Sequence, residues 1–369
     1  MRLALVGAGH AHLHLLAHAA RLRAAGLDPV LVAPGRFDYS GLATGVLSGA
    51  IEEETAGLDV AALAKAAQVE HHPTQVGAVD LAGRRLILAE GAPQAFDLVS
   101  LNIGSVSRDP RGLARQPGVW AVKPLAHLFA FKAWLEAEMT RRSASPQVVI
   151  AGAGQTGFEI AAALAGLAAR HGVAPRIRLV GDAAASWAPG GAGRHLRQAL
   201  ERRGVVFEAG EVVARTSAAC QLEDGRSLPC DALLLAAGLE APPLIGALGL
   251  PAGVDGRLIV SPQMRSPADD RVFAAGDCAV IDGAERPAAG VFGVRAAPVL
   301  LANLIARATD APLKAYRPQA RWLSIMDLGD GTGLALRGDL WTHGRAALWL
   351  KRRLDLGFVA RAGRLRPDA

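Results

Sequence analysis

The chain opens on Leu3-Ala4-Leu5-Val6-Gly7-Ala8-Gly9-His10-Ala11-His12. Four apolar residues make a short buried strand and run directly into Gly7-Ala8-Gly9, after which an Ala/Leu-rich helical pattern reaches about residue 25. Strand, glycine turn and helix in that order form the phosphate-binding element of a dinucleotide-binding fold. Gly7 permits the tight turn, and Gly9 lets a pyrophosphate approach the backbone. The amides and dipole of the first helical turn, at His10 and Ala11, are then expected to face the negative charge. His12 stands where such a loop would carry its third glycine. A second loop gives the first its weight. A strand over 147–151 leads into Gly152-Ala153-Gly154-Gln155-Thr156-Gly157-Phe158-Glu159 and an Ala/Leu helix to about residue 171. All three glycines are present there, in the strand-to-helix context the motif needs.

With 369 residues, there is length for two or three domains and ample apolar sequence for a core. Cys220, Cys230 and Cys278 lie far apart in sequence. An odd, sparse count fits a reducing compartment and argues against a disulfide scaffold. No uninterrupted apolar run reaches the roughly 18 to 20 residues needed to span a bilayer, and the N-terminal run is too short for a signal peptide. Net charge is +6, and residues 337–369 alone carry a surplus of five, with eight Lys/Arg against Asp339, Asp355 and Asp368. The tail is therefore the basic element. No recognised nucleic-acid-binding module accompanies that charge, so nucleic acid is not an expected partner.

Between and after the two loops the apolar pattern alternates strands and helices. The strand over 29–32 ends Val32-Ala33-Pro34 without the acid that a ribose usually meets, and Arg36 is the nearest charge. Strands follow over 75–79 and over 85–88. A strand over 96–101 ends in Asn102-Ile103-Gly104-Ser105, where small residues let chain and cofactor approach closely. The strand after the second loop ends at Val180-Gly181-Asp182, again not directly on an acid, and another, over 231–237, ends at Gly238. Finally Val272-Phe273-Ala274 delivers Gly276-Asp277 into a turn, and Gly293 lies at the start of a helix to about residue 307. The expected class is α/β, with two Rossmann-like units and a short C-terminal segment.

Two glycine fingerprints and a late Gly-Asp turn resemble the two-dinucleotide-domain flavoproteins of the pyridine nucleotide-disulfide oxidoreductase superfamily. Within it the chain is similar to type II NADH dehydrogenases and to the flavoprotein module fused to some selenophosphate synthetases. The matching stretches are Gly-His-Ala-His (9–12), Tyr-Ser-Gly (39–41), Leu-Asn-Ile-Gly-Ser (101–105), Gly-Val-Phe-Gly-Val-Arg (290–295) and Leu-Lys-Arg-Arg-Leu-Asp-Leu-Gly-Phe (350–358). The resemblance implies an FAD-binding domain over 1–108 and 246–318, interrupted by an NAD(P)H-binding domain over 109–245 and followed by a basic amphipathic segment over 319–369. It implies that Gly7, Gly9, His10, Ala11, Arg36 and Val76 meet FAD. Asn102, Gly104, Gly276, Asp277 and Gly293 would complete that site. Gly152, Gly154, Gln155, Thr156, Gly157 and Gly238 would hold NADH or NADPH, with Glu159 as the catalytic residue near the nicotinamide.

The implied activity is FAD-dependent NAD(P)H oxidation without a redox-active disulfide, with electrons passed to a small-molecule acceptor, a quinone among the candidates. Against a quinone, residues 292–297 read Phe-Gly-Val-Arg-Ala-Ala, without the glutamines of the type II enzymes. A selenium- or sulfur-linked reductase, or a flavin-binding sensor with little turnover, remain the alternatives. Arg194 and Arg197 are the candidates to meet a 2′-phosphate. His10, His14 and His18 share a helix face without a carboxylate or cysteine beside them in sequence, so packing or cofactor contact is expected there, not a metal. Cys278 is expected to be a small buried residue. The tail sets Trp341, Leu348, Trp349, Leu350, Leu354 and Phe358 among its cations. Such a stretch either lies on an anionic membrane or packs on the flavin domain. The expected location is the cytoplasm, with that tail as the element for contact with the inner face of a membrane.

Overall fold

Because Leu3, Ala4, Leu5 and Val6 are all buried, the N-terminal stretch is apolar on both faces, as the middle of a parallel sheet requires. It forms the strand Arg2–Val6, central in a five-stranded, all-parallel sheet. The order is Val272–Ala274, Leu98–Leu101, Arg2–Val6, Asp28–Val32, Glu70–His72. The chain leaves this sheet at Leu101 and returns at Val272. Between these points it builds a second five-stranded parallel sheet, ordered Val119–Ala121, Ala232–Leu235, Val148–Ala151, Ile177–Val180, Val205–Glu208. Each fingerprint strand has the next strand of its sheet on one side and a strand reached only later in the chain on the other, so each loop opens at a topological switch point, where α/β sheets bind ligands. The structure is a computed structural model describing residues 1–182, 185, 187–284 and 286–365. Arg366 and Asp368, counted in the basic tail, lie outside the described residues.

Four features differ from the expectations. The helix expected over 10–25 is two, His10–Ala17 and Ala19–Ala24, parted at His18, whose Nδ1 lies 2.9 Å from the His14 carbonyl oxygen. The helix Gly290–Ala308 is long and apolar enough by length and composition to cross a membrane, although no uninterrupted apolar run announced it, because Arg295 and Arg307 punctuate it. Here it is a core helix, with Leu300, Leu301 and Leu304 buried against Leu13 and Leu16 of the first helix. Cys220 and Cys230, ten residues apart in sequence, meet in one apolar cluster of the antiparallel sheet Val212–Arg215, Ala219–Leu222, Ser227–Pro229; both are free thiols.

The fourth is the C-terminal segment, which folds as an antiparallel sheet, Ser324–Asp327, Gly333–Arg337, Leu340–Gly344, before the helix Arg345–Ala362. Met326 and Leu334 of that sheet share one core with Phe158 and Leu164 of the second fingerprint helix and with Leu42 and Leu47. The tail thus packs onto both nucleotide-binding units, while its last helix keeps an outer face in solvent.

Candidate functional site

Gly7, at φ +86°, turns the chain, and its amide donates to the Val32 carbonyl at 2.8 Å. Gly9 passes against the Asn102 turn: its amide donates to the Asn102 carbonyl at 3.1 Å, and a Cβ there would sit 2.5 Å from Asn102 Oδ1. Asn102 Oδ1 accepts the amides of Ala11 at 2.9 Å and His12 at 3.2 Å, while its Nδ2 donates to the Ala275 carbonyl at 2.6 Å. One buried carboxamide therefore ties the glycine loop, the fourth strand of the sheet in chain order and the Gly276-Asp277 turn together.

This corrects the expectation that the first-turn amides all face a ligand. Asn102 takes two of them, as a helix-capping side chain would, but from 91 and 90 residues away. Among the described residues no protein hydrogen bond of ordinary length engages the amides of Ala8 and His10, and amides at a helix start can meet an anion.

His12 fills the place of the third glycine. Its ring is fully buried, with Nδ1 2.6 Å from the Gly7 carbonyl and Nε2 2.8 Å from Ser100 Oγ. A carbonyl only accepts, so Nδ1 carries the proton and Nε2 accepts from the serine. Burial pushes the imidazole down to about 4, outweighing the hydrogen bond to Gly7, so it is neutral near pH 7. The His10 ring sits among Phe37 (5.4 Å), Tyr39 (5.5 Å) and Phe358 of the last helix (5.2 Å), and desolvation lowers it too to about 4.

Across the loop, Gly293 comes within 3.6 Å of Gly276 Cα, measured from where its Cβ would be, and Gly290 faces the His10 ring at 3.3 Å. Asp277 receives Lys123 Nζ at 2.9 Å and Ser105 Oγ at 3.1 Å. Burial opposes its ionisation, but the Lys123 charge and these hydrogen bonds prevail and hold the carboxyl below the usual range. Gly7, Gly9, His10, Ala11, Asn102, Gly276, Asp277 and Gly293 thus converge on one cradle, and Gly104 follows Asn102 with open space over it. Val76 is half-buried and packs against the apolar cluster that holds Val6 and Val32. Arg36 is engaged by Asp38 at 2.6 Å and the Glu53 carbonyl at 3.0 Å.

In the second loop, a Cβ on Gly157 would fall on the Gly152 carbonyl oxygen, which is why helix and turn can close there only on glycine. Gly154 has open space and Thr156 is exposed, whereas the Gln155 amide donates to Ser324 Oγ at 2.7 Å and so joins the loop to the C-terminal sheet. Gly152, Gly181 and Gly210, with Arg108, Arg111 and Glu211, line a crevice at the carboxyl ends of this sheet. Gly238 accepts the Arg108 amide at 3.0 Å. Of the residues expected to meet a 2′-phosphate, Arg197 pairs with Glu201 at 2.8 Å and lies over Phe207, and neither it nor Arg194 lines the crevice.

Glu159 lies where the second fingerprint helix meets the tail. Burial pushes its carboxyl up to about 7, against the pull of the Lys351 charge and a hydrogen bond from the Asp327 backbone. Lys351 Nζ donates to the Gly41 carbonyl at 2.7 Å and Asp355 Oδ2 at 2.8 Å, and Tyr39 Oη donates to Asp355 Oδ1 at 3.0 Å. Cys278 is buried and uncharged, its thiol raised to about 12 by burial. Sequence reasoning had not placed His12, Lys123, Lys351 or Asp355 in a site. The i, i+4 spacing of Lys351 and Asp355 was visible, but its target was not.

The residues present suit the two groups that such loops hold. A diphosphate has free amides and a helix N-terminus in the first cradle, a sugar hydroxyl has the Asp277 carboxylate, and a second nucleotide has the glycine-lined crevice. Two Rossmann-type units carrying these cradles define a two-nucleotide flavoprotein fold. Residues 1–299 match the family model for pyridine nucleotide-disulphide oxidoreductases, and the chain belongs to that family. FAD and NAD(P)H are the cofactors this membership implies. The chain is 28% identical over 256 residues to the ferredoxin–NAD(+) reductase component of the biphenyl dioxygenase system of Paraburkholderia xenovorans (strain LB400), covering 66% of this chain and 58% of that protein. It is 32% identical over 233 residues to an NADH dehydrogenase-like protein of Mycobacterium tuberculosis (strain ATCC 25618 / H37Rv), covering 58% and 56%. The sulfide:quinone oxidoreductase of the hyperthermophilic bacterium Aquifex aeolicus shares the fold, with a TM-score of 0.82 at 15% identity over 99% of this chain and 92% of that one. The chain thus spans somewhat more than half the length of these two sequence relatives.

Proposed function

We propose that this protein is an FAD-dependent NAD(P)H oxidoreductase, with the interrupted domain order set out above and a small acceptor that takes electrons beside the C-terminal helix. The observation that carries the reading is the pairing of two glycine cradles, at Gly7/Gly9 and Gly152/Gly157, with the Glu159, Lys351, Asp355 and Tyr39 group between the second loop and the tail. When bound, FAD supplies hydride acceptance and onward electron transfer. The chain's own residues bind and orient. The free amides of Ala8 and His10 hold the diphosphate, and Asp277 holds a sugar hydroxyl. The N-terminus of Gly290–Ala308 favours negative charge at the ring edge. Glu159, with its carboxyl near half-protonation at neutral pH, can keep or release a proton beside the nicotinamide.

Names among the relatives point to protein acceptors as well as to NADH dehydrogenase-like chemistry. A quinone reached at a membrane surface is the acceptor we favour, because the last helix exposes Trp349 (62%), Leu354 (51%) and Leu356 (41%) beside Arg345, Arg353 and Arg361. The test is anaerobic titration of the FAD-loaded protein with NADH and then NADPH, followed by turnover with a soluble quinone and with ferredoxin, and flotation with anionic vesicles. Bleaching of the flavin by either nucleotide supports the oxidoreductase. A flavin that neither nucleotide bleaches would sink it in favour of a sensor.

A further inference from the structure

One charged side chain follows the chain as it crosses between the two sheets. The strand Val119–Ala121 is the edge of the second sheet, yet Lys123, two residues on, reaches into the first cradle. Its Nζ lies 2.9 Å from Asp277 Oδ2 and 3.1 Å from Ser105 Oγ. Ser107 fixes its backbone: Ser107 Oγ accepts the amides of Val122 and Lys123, both at 3.0 Å. The two charged side chains are 20% and 13% exposed. A pair this dry gains little net stability, because desolvation offsets attraction. The other titratable ring facing Asp277 is His10, held neutral among its aromatic neighbours. Lys123 is therefore the charge that balances Asp277 where a cofactor hydroxyl must be received.

We propose that Lys123 is a positioning residue of the flavin site, delivered from the second unit to neutralise and orient Asp277 and to raise the midpoint potential of the bound flavin by its fixed positive charge. The inference rests on the FAD reading above. A cation in a poorly solvated site favours the more electron-rich form of a neighbouring group, and salt screens it weakly. A clamp between units would produce the same contacts without that electrical effect, so the test must read potential as well as stability.

The experiment compares K123M, K123Q and K123R with the wild-type chain, all loaded with FAD. The midpoint potential is measured by equilibration against a reference dye, FAD affinity by fluorescence, and folding of the apoproteins by thermal melting. K123M and K123Q are expected to shift the oxidised-to-reduced ratio at fixed potential at least tenfold toward oxidised, which is 29.6 mV for a two-electron couple. K123R is expected to stay within twofold of wild type. If K123M does not fold, K123Q, which still donates to Asp277, decides the matter. Loss of FAD from both neutral variants, with K123R loaded and the apoproteins folded, supports the positioning role as well. Neutral variants that hold FAD at a potential within twofold of wild type overturn the proposal. A wild-type protein that takes no FAD sinks the FAD reading instead, so the two failures are distinguishable.

Discussion

Acidification should destabilise the apoprotein through His12. Burial lowers its imidazole from 6.5 to about 4 in the fold. The unfolded chain therefore takes up the proton first, so the stabilising contribution is complete above pH 6.5 and is lost as pH falls toward 4. With those two values the loss between pH 7 and pH 5 is about 2 kcal/mol from His12 alone. His10 contributes with the same sign. Glu159 acts in the opposite sense: its carboxyl is raised to about 7, so the fold takes up that proton first and gains stability as pH falls from 7 toward 4.5. The total pH dependence thus mixes signs, and only a difference isolates His12. The assay is urea unfolding of FAD-free wild type and His12→Asn, followed by tryptophan fluorescence at pH 7, 6 and 5. At pH 7 the variant is expected to be about 2 to 3 kcal/mol less stable, from lost packing and an unpaired Ser100 hydroxyl. At pH 5 that gap should shrink by about 2 kcal/mol. A gap that stays constant from pH 7 to pH 5 refutes the neutral, doubly hydrogen-bonded imidazole.

Three further outcomes follow from the same geometry. Asn102→Ala should lower apoprotein stability by about 3 kcal/mol, because it strands the amides of Ala11 and His12 and the Ala275 carbonyl. Saturating FAD should narrow that deficit, since the freed amides can meet the diphosphate; an equal deficit with and without FAD contradicts this. Gly157→Ala puts a methyl group on the Gly152 carbonyl and should weaken NAD(P)H binding at least tenfold while leaving the flavin spectrum unchanged, as equilibrium titration can check. Glu159→Gln should flatten a limb with its midpoint near pH 7 in the rate of flavin reduction measured by stopped flow; an unchanged profile would remove Glu159 from the reaction.

The two parallel sheets and the order of their fingerprints were legible from local pattern, whereas the approach of Gly276 and Gly293 to the first loop was implied only by the family resemblance. An apolar strand ending on glycines constrains only its own neighbourhood, and a dozen residues suffice to show it. His12 shows where that reading stopped. As a sequence symbol it was a missing glycine, and only the fold reveals a ring bonded to Gly7 and Ser100 that pins the turn. Asn102 was expected in the flavin site for its small-residue turn, not as the cap of a helix far away in sequence.

The sequence by itself determined the α/β class and the two glycine-bearing strand-turn-helix units, because strand and helix periodicity and a glycine turn between them are set by neighbouring residues. Tertiary structure alone decided which distant charges face each other. Lys123 meets Asp277 across 154 residues, and Tyr39 meets Asp355 across 316. It also decided that the basic tail folds into a sheet and a helix that pack on both nucleotide-binding units with one face and expose Trp349 on the other. Pairings of this kind depend on how whole units dock, and burial in that docked state, not residue type, sets the protonation of His12 and Glu159.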